Sequence, residues 1–266
     1  MATISVSAAA QPEHVPPRVQ VNVTDSGNPA ISSVTVVRLN LATGAMATVR
    51  TADGNPLPLS ASGSTRTAIL YDHEAPFGVP VTYYTLEQPG NTSAQLTLAV
   101  PRVWLVPPGV PGKGVAVTVA TWGERTRQAT RGVFYPMGRT SPVVITDGAR
   151  KSAAGSLQVV TLTDADRRAM NALLDDSSVV LLNVPAANPW GVDTCYVSFG
   201  DSVETRVSRI AAEPGRMWTL PYVVVDSPIG GAQSQWTWQN VIDTYATWND
   251  VMAANSTWAQ LQTPIT

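Results

Sequence analysis

The stretch "RVQVNVTDSGNPAISSVTVVRLN" (18–40) determines how the first part of the chain is interpreted. Val19, Val21 and Val23 alternate with polar residues, which places the three valines on one face of a β-strand. The "DSGNP" that follows is rich in turn-forming residues, and alternation resumes in "SSVTVVRLN" (32–40). A strand, a turn and a second strand of this kind predict an antiparallel sheet with one face on a core.

The same pattern continues to residue 100. The segment "ATGA" (42–45) predicts a hairpin turn, and 67–100 contains three more strands separated by Pro and Gly. Short strands at this spacing predict a β-sandwich over 18–100. Residues 1–17 are small, polar and Pro-containing, so they are predicted to form an arm that is flexible or ordered by a partner.

The segment "PRVWLVPPGVPGKG" (101–114) is rich in Pro and Gly and is predicted to be the linker after the sandwich. A second β-rich unit is predicted over 115–228. Its strands are expected near 115–121, 128–135, 142–146, 155–161, 179–183, 194–199, 202–210 and 217–225. The last of them, "MWTLPYVVV", should place Trp218 and Leu220 on one face, with Pro221 requiring an edge position or a bulge.

One segment of the second unit, "TLTDADRRAMNALLDD" (161–176), has helical character. Thr163 is a favourable N-cap, and aspartates in the first turn suit the positive end of the helix dipole. Met170 and Leu173 belong to an apolar stripe with helical spacing. A helix between strands gives this otherwise antiparallel unit an α+β character.

The chain ends in a segment, 229–266, in which Thr-Trp occurs three times at intervals of ten residues. Each Thr is a good N-cap, and the polar residue three places on resembles a capping box. Three short helices are therefore predicted, each too small to bury an indole by itself. We expect a helical Trp-repeat arm whose interface candidates are Trp238, Val241, Trp248, Val251, Trp258 and Leu261. Packing of these residues against a neighbouring molecule or against 115–225 of the same chain remains open.

Composition limits the function classes. The net charge is −2 and only 14% of residues are charged, which argues against specific nucleic-acid binding through phosphate contacts and favours a protein whose surface is covered in an assembly. The sequence shows no signal peptide and no apolar run long enough to span a membrane. Cys195 is the single cysteine, so no intrachain disulfide is expected.

Catalytic and metal-binding motifs are missing from the sequence. His14 and His73 have no ligand-like spacing, and "GKG" (112–114) lacks the spacing of a phosphate loop. The basic stretch "GERTRQATRG" (123–132) is interpreted as a solvated strand face, with a glycan- or DNA-facing patch as the alternative. The sequence therefore predicts a protein that is not an enzyme and that has no cofactor and no metal site.

Four features together resemble a known family over about residues 100–262. They are the strand "GRTSPVVITD" (138–147), the strand "GSLQVVT" (155–161) before the helix, the strand "RMWTLPYVVVDSP" (216–228), and the tail "TWxxV…TWNDV" (237–251). Their order looks like the minor tail proteins of long-tailed bacteriophages that infect actinobacteria. The first unit is similar to fibronectin type III domains, because "EAPFGVPVTYYTLEQ" (74–88) looks like the strand that carries that family's tyrosine, with Tyr83 or Tyr84 in the role.

The resemblance implies a mainly β fold: a fibronectin III-like sandwich, a β-rich distal-tail-like domain with one helix, and the helical Trp-repeat arm. It implies a structural component of the tail tip or baseplate, made in the cytoplasm of the bacterial host and located in the virion tail. The expected partners are further copies of the chain in a ring-like homo-oligomer and other phage tail proteins, with no membrane and no specific nucleic acid. The alternative is a glycan-binding adhesin module that attaches to the host cell wall.

Overall fold

The computed structural model describes residues 4–27, 31–51, 54–62, 65–146, 148, 150–188, 191–210, 213–228, 245 and 247–254. Over this part the chain is mainly β, as predicted for the fold class at its coarsest level. Its strands form an N-terminal pair of packed sheets, which we call the N-terminal unit, and a closed barrel.

The N-terminal unit contains the strands β1 Ile4–Gln11, β2 Arg18–Asp25, β3 Ser33–Val34, β4 Val36–Asn40, β5 Met46–Thr48, β6 Leu57–Pro58, β7 Ser60–Ser62, β8 Thr65–Asp72, β9 Pro80–Thr85 and β10 Leu96–Thr97. Eight of them form two antiparallel sheets, in the orders β1-β2-β8-β7 and β10-β9-β4-β5. Val21 of β2 and Val81 of β9 are fully buried in one shared core. The two sheets therefore pack face to face, each with its alternating apolar face inward.

The first strand corrects the prediction that residues 1–17 form an arm. Residues Ile4–Gln11 pair along their whole length with β2, from Ile4 opposite Asp25 to Gln11 opposite Arg18. Ile4 is fully buried and Val6 is nearly so. The Ala- and Ser-rich sequence has weak intrinsic β preference, but two inward apolar side chains and a complete hydrogen-bonding partner are enough to fix it as a strand.

The barrel follows, with the strands β11 Val103–Val106, β12 Val115–Trp122, β13 Thr126–Arg127, β14 Arg131–Phe134, β15 Val143–Thr146, β16 Ala153–Thr161, β17 Val180–Asn183, β18 Cys195–Phe199, β19 Val203–Arg206 and β20 Arg216–Val225. Six of them pair in the cyclic order β11-β12-β16-β20-β18-β17, because β17 also pairs with β11. All six pairings are antiparallel, so the sheet closes and its strands have no free edge along these ladders.

The barrel interior is filled by alternate side chains of its long strands. Leu157 and Val159 of β16 face Trp218 and Leu220 of β20, and all four are buried. The indole Nε1 of Trp218 donates a hydrogen bond to Thr161 Oγ1 at 3.0 Å, which satisfies its polar atom within the core. The predicted facing of Trp218 and Leu220 is confirmed.

Pro221 lies in a central strand, but at a point where the neighbour on one side is interrupted and its register shifts by one residue. β20 lies between β16 on one side and β18 followed by β19 on the other. The carbonyl of Pro221 accepts a hydrogen bond from Gly200 N–H at 2.8 Å, where the chain passes from β18 to β19. The N–H that proline lacks would point to this same side. A central strand tolerates Pro221 because one of its neighbours is interrupted there.

Helix α1, Asp164–Asp176, joins β16 to β17 and starts as predicted. Thr163 Oγ1 accepts a hydrogen bond from the Asp166 N–H at 3.1 Å, and the Asp166 carboxylate accepts one from the Thr163 N–H at 3.2 Å. This reciprocal capping box satisfies two donors that a helix start leaves free. Met170 and Leu173 are fully buried in the barrel core.

The predicted linker 101–114 is wrong for its first half. Strand β11 lies between β12 and β17, and all four of its residues are buried. Val103 and Leu105 face the barrel interior, while Trp104 and Val106 belong to the core of the N-terminal unit. Prolines 101 and 107 flank the strand without entering it, so they cost no ladder hydrogen bond.

The N-terminal unit and the barrel therefore share apolar packing. Besides β11, Leu181 of β17 belongs to the core of the N-terminal unit. The buried amide of Asn183 donates to the carbonyl of Ala75 at 2.9 Å, and Ala186 N–H donates to the carbonyl of Phe77 at 3.0 Å. The outer face of the barrel strands is the surface on which the N-terminal unit sits.

Candidate assembly surfaces

A β-hairpin made of β14 and β15 leaves the barrel between β13 and β16. The two strands pair with each other from Arg131 opposite Thr146 to Phe134 opposite Val143, and they form a two-stranded sheet of their own. At the hairpin base, Lys151 N–H donates to the carbonyl of Gln128 at 2.9 Å. The hairpin precedes β16, and helix α1 follows β16. The hairpin and α1 therefore lie at opposite ends of this nine-residue barrel strand.

The hairpin is apolar although it is exposed. Its large hydrophobic residues range from 37% exposed at Val143 to completely exposed at Met137. The others are Val133, Phe134, Tyr135, Val144 and Ile145. A soluble monomer seldom shows a contiguous apolar surface of this kind, and such surfaces mark protein contacts.

The two faces of the hairpin differ. Opposed residues of an antiparallel pair share a face, so the register places Gly132, Phe134, Val143 and Ile145 together. The opposite face carries Val133, Val144 and the charged Arg131. A methyl group added at Gly132 would lie 2.8 Å from Phe134 Cε2, so the Phe134 ring folds back over the glycine. One face of the hairpin is therefore entirely apolar and closely packed along the strand.

Charge is also concentrated around the hairpin. Residues 123–151 contain six basic and two acidic side chains, a net charge of +4, whereas the whole chain carries −2. The rest of the chain therefore carries −6. The densest basic stretch of the sequence is the base of this hairpin, where Arg127 and Arg131 are exposed.

The C-terminal arm is described only around its middle Thr-Trp repeat. Helix α2, Trp248–Ala254, starts after Thr247. Thr247 Oγ1 accepts from the Asp250 N–H at 3.3 Å, and the Asp250 carboxylate accepts from the Thr247 N–H at 2.9 Å. The predicted capping box and short helix are confirmed for this repeat.

The structure describes two of the six interface candidates of the arm. Trp248 is 59% exposed, whereas Val251 is buried. The candidates Trp238, Val241, Trp258 and Leu261 lie outside the described residues. The role of these residues in an interface stays a prediction. Of the three tryptophans, Trp248 lies in the described helix, and its indole is exposed.

A cleft of about 690 Å³ lies between the N-terminal unit and the barrel. Arg50 Nε pairs with Glu74 Oε1 at 2.6 Å, and the Tyr196 hydroxyl donates to Glu74 Oε2 at 2.5 Å. Burial and, after it, the Glu74 carboxylate together raise the pKa of Tyr196 to about 12. Arg50 holds one Glu74 oxygen within the N-terminal unit and Tyr196 of the barrel holds the other, so both oxygens of this carboxylate are engaged.

A second polar network closes one end of the N-terminal unit. Asp72 Oδ2 accepts from Arg38 at 2.6 Å and from the Tyr83 hydroxyl at 3.0 Å. Burial raises the pKa of Tyr83 far above its usual value, and the Asp72 carboxylate acts in the same direction. Of the two tyrosines proposed for the family's role, Tyr83 is fully buried, whereas the hydroxyl of Tyr84 makes an exposed contact with Met46 Sδ.

His73 lies beside this network, with its ring 6.4 Å from that of His14. Its Nδ1 is buried and has no hydrogen-bond partner among the described residues. Burial and, after it, the positive charge of Arg18 together lower the pKa of His73 to about 4. The histidine is therefore neutral in the folded protein at neutral pH.

We expect His73 to make the protein less stable in mild acid. Above pH about 6.5 the residue is neutral in both states; as the pH falls towards 4, only the unfolded chain binds the proton. After a discount for solvent screening, the loss between these pH values should be about 1–2 kcal/mol. His73→Gln should reduce the difference in unfolding free energy between pH 7 and pH 4 by this amount. An unchanged pH dependence in denaturant unfolding would contradict the assignment.

The remaining reactive groups of the described residues are a thiol and scattered carboxylates. Cys195 is a free, half-buried thiol whose pKa is raised by burial. In the described ranges no three His, Cys, Asp or Glu side chains lie close enough together to hold a metal ion. No helix there is both long and apolar enough to cross a membrane. No protein-family model and no curated protein matches the chain.

Proposed function

We propose that this chain is a structural minor tail protein of a bacteriophage, part of the tail tip or baseplate, and that it takes part in assembling the end that attaches to the host. It does so as a homo-oligomer in contact with other tail proteins. The observation that carries the proposal is the apolar hairpin β14–β15, which projects from a closed barrel and exposes seven large hydrophobic side chains. Such a surface is an interaction element rather than a site for chemistry.

The proposal includes a fold family for each of the two parts of the chain. A fibronectin III-like identity of the N-terminal unit is supported by two packed four-stranded sheets and by the buried Tyr83. A distal-tail-like identity of residues 115–228 is supported by the order of β15, within "GRTSPVVITD" (138–147), and β16, which contains "GSLQVVT" (155–161), before helix α1. A shared fold does not establish function, so the proposed function rests on the exposed surfaces.

The Trp-repeat arm supplies a second contact in this proposal. Trp238, Trp248 and Trp258 act as anchors, each accompanied by the apolar residue three positions later. Buried tryptophans are frequent hot spots of protein interfaces. The rival is packing of the arm against residues 115–225 of its own chain, and the buried Val251 is compatible with either arrangement.

Location in the virion tests the proposal directly. Antibodies raised against the chain should place gold label at the tail end distal to the head of particles of the phage that encodes it. An antibody against a capsid protein of the same phage, which should label the head, serves as the matched control. Particles that carry capsid label but no label at the tail tip would show that the protein is not a tail-tip component.

The alternative function is a glycan-binding adhesin module for attachment to the cell wall. Two exposed aromatic rings, Tyr135 at the hairpin tip and Trp248 in the arm, favour it. Tyr71 is a poor sugar platform, because the Arg18 guanidinium covers its ring at 3.7 Å from the centroid. An adhesin should be retained on host cell-wall polysaccharide as a monomer, whereas a ring-forming protein should show an oligomeric mass in light scattering.

A further inference from the structure

Residues from four adjacent barrel strands, β12, β11, β17 and β18, line the core of the N-terminal unit. They are Ala116, Trp104, Val106, Leu181 and Tyr196. Trp104, Val106 and Leu181 are each 8% exposed or less. Because successive side chains of a strand point to opposite faces, the outer face of the barrel is the floor of this core. One layer of barrel backbone therefore separates the two cores.

Hydrogen bonds cross the contact between the N-terminal unit and the barrel. Asn183 of β17 is fully buried, and its amide donates to the carbonyl of Ala75 at 2.9 Å. Its Oδ1 accepts a hydrogen bond from Thr194 Oγ1 at 3.2 Å. Ala186 N–H donates to the carbonyl of Phe77 at 3.0 Å. These bonds fix the orientation of the two units, because a hydrogen bond requires a defined distance and angle.

The connection between the N-terminal unit and the barrel is short, and part of it is buried. β10 ends at Thr97 and β11 starts at Val103, so residues 98–102 join them. Leu98 and Val100 of this segment are 1% and 8% exposed and belong to the core of the N-terminal unit. Domains that move independently are usually joined by an exposed, flexible linker and meet at a more polar interface. This connection and the apolar contact beside it have neither property.

We propose that the N-terminal unit and the barrel form one cooperative folding unit, so that neither unfolds while the other stays native. Without the barrel, the N-terminal core loses Trp104, Val106 and Leu181. The barrel would in turn expose these three apolar side chains to water, which is unfavourable in proportion to their area. A partner that binds only one of the two units therefore stabilises both, because binding to the native state stabilises the whole cooperative unit. This coupling lies within one chain and does not depend on the proposed function.

The test uses the full-length chain and pulsed hydrogen exchange with mass spectrometry at increasing urea concentrations. Peptides from β2 and β8 report on the N-terminal unit, and peptides from β16 and β20 report on the barrel. Leu70→Ala and Leu173→Ala are the matched pair of variants. Leu70 is buried in the core of the N-terminal unit and Leu173 in the core of the barrel, so each variant removes the same atoms from one of the two cores.

In the wild type, the peptides of both units should lose their protection at the same urea concentration. Each variant should lower this midpoint by an equal amount in both sets of peptides. A Leu70→Ala protein whose barrel peptides keep the wild-type midpoint would overturn the proposal. So would a wild type whose two sets of peptides have different midpoints. If an alanine variant does not fold in the absence of urea, Leu70→Val or Leu173→Val takes its place, because it removes less of the side chain.

Discussion

Replacement of Trp218 by alanine is expected to lower the free energy of unfolding by about 3–5 kcal/mol. The indole is 2% exposed in the barrel core, and Trp218 of β20 lies opposite Val159 of β16. Its removal loses the transfer free energy of a large aromatic side chain and leaves a cavity that the closed barrel cannot collapse to fill. Thr161 Oγ1 also loses the donor of a 3.0 Å hydrogen bond.

Two further variants separate the contributions at this site. Trp218→Phe keeps much of the ring but removes the bond to Thr161, so it should cost about 1–2 kcal/mol. Trp248→Ala removes an indole that is 59% exposed, and should cost less than about 1 kcal/mol in the unassembled protein. Denaturant unfolding of the three variants gives the comparison. A Trp218→Ala midpoint equal to that of the wild type would show that the indole does not support the core.

The elements that sequence predicts well are those whose signals are local. The alternation of valines gives β2, and Thr163 followed by Asp166 gives the start of α1. Thr247 with Asp250 gives the start of α2 in the same way. Each depends on neighbouring residues only, so no knowledge of the tertiary fold is needed.

The errors concern segments whose structure depends on distant partners. β1 is a strand because β2 pairs with all eight of its residues, although its own Ala-rich sequence carries little strand preference. β11 is four residues long between prolines, and its place in the sheet depends on β12 and on β17, far along the chain. Barrel closure likewise rests on the pairing of β16 with β20, which lies some sixty residues away.

The candidate site was predictable in part. The sequence predicts both hairpin strands, within the segments 128–135 and 142–146, but only as strands of the second β-rich unit and not as a separate hairpin. The sequence signal that the hairpin lies outside the barrel is the lack of polar alternation in "VVIT" (143–146). Its residues put apolar groups on both faces of the strand. That both faces of β14 and β15 are exposed follows only from the closure of the barrel, which does not include these two strands.

The second large effect is expected from Asp72→Ala, which should lower the unfolding free energy by about 3–5 kcal/mol. The Asp72 side chain is 2% exposed and that of Arg38 14%, so the variant leaves a guanidinium in the interior without its counter-ion. The hydroxyl of the fully buried Tyr83 loses its acceptor as well. Most of the loss is thus the cost of an uncompensated buried charge rather than the net value of the ion pair.

A triple variant separates these two explanations. Arg38→Met, Asp72→Leu and Tyr83→Phe together remove the charge, its counter-ion and the orphaned hydroxyl, while the side chains keep roughly their volume. Because well-packed apolar groups often replace buried ion pairs at little cost, the triple variant should recover at least about half of the stability that Asp72→Ala loses. Denaturant unfolding at pH 7 measures both proteins. A triple variant as unstable as Asp72→Ala would mean that the network supports the fold by its hydrogen-bond geometry, including the bond from Glu74 N–H to Asp72 Oδ1 at 2.9 Å, and not by balancing charge.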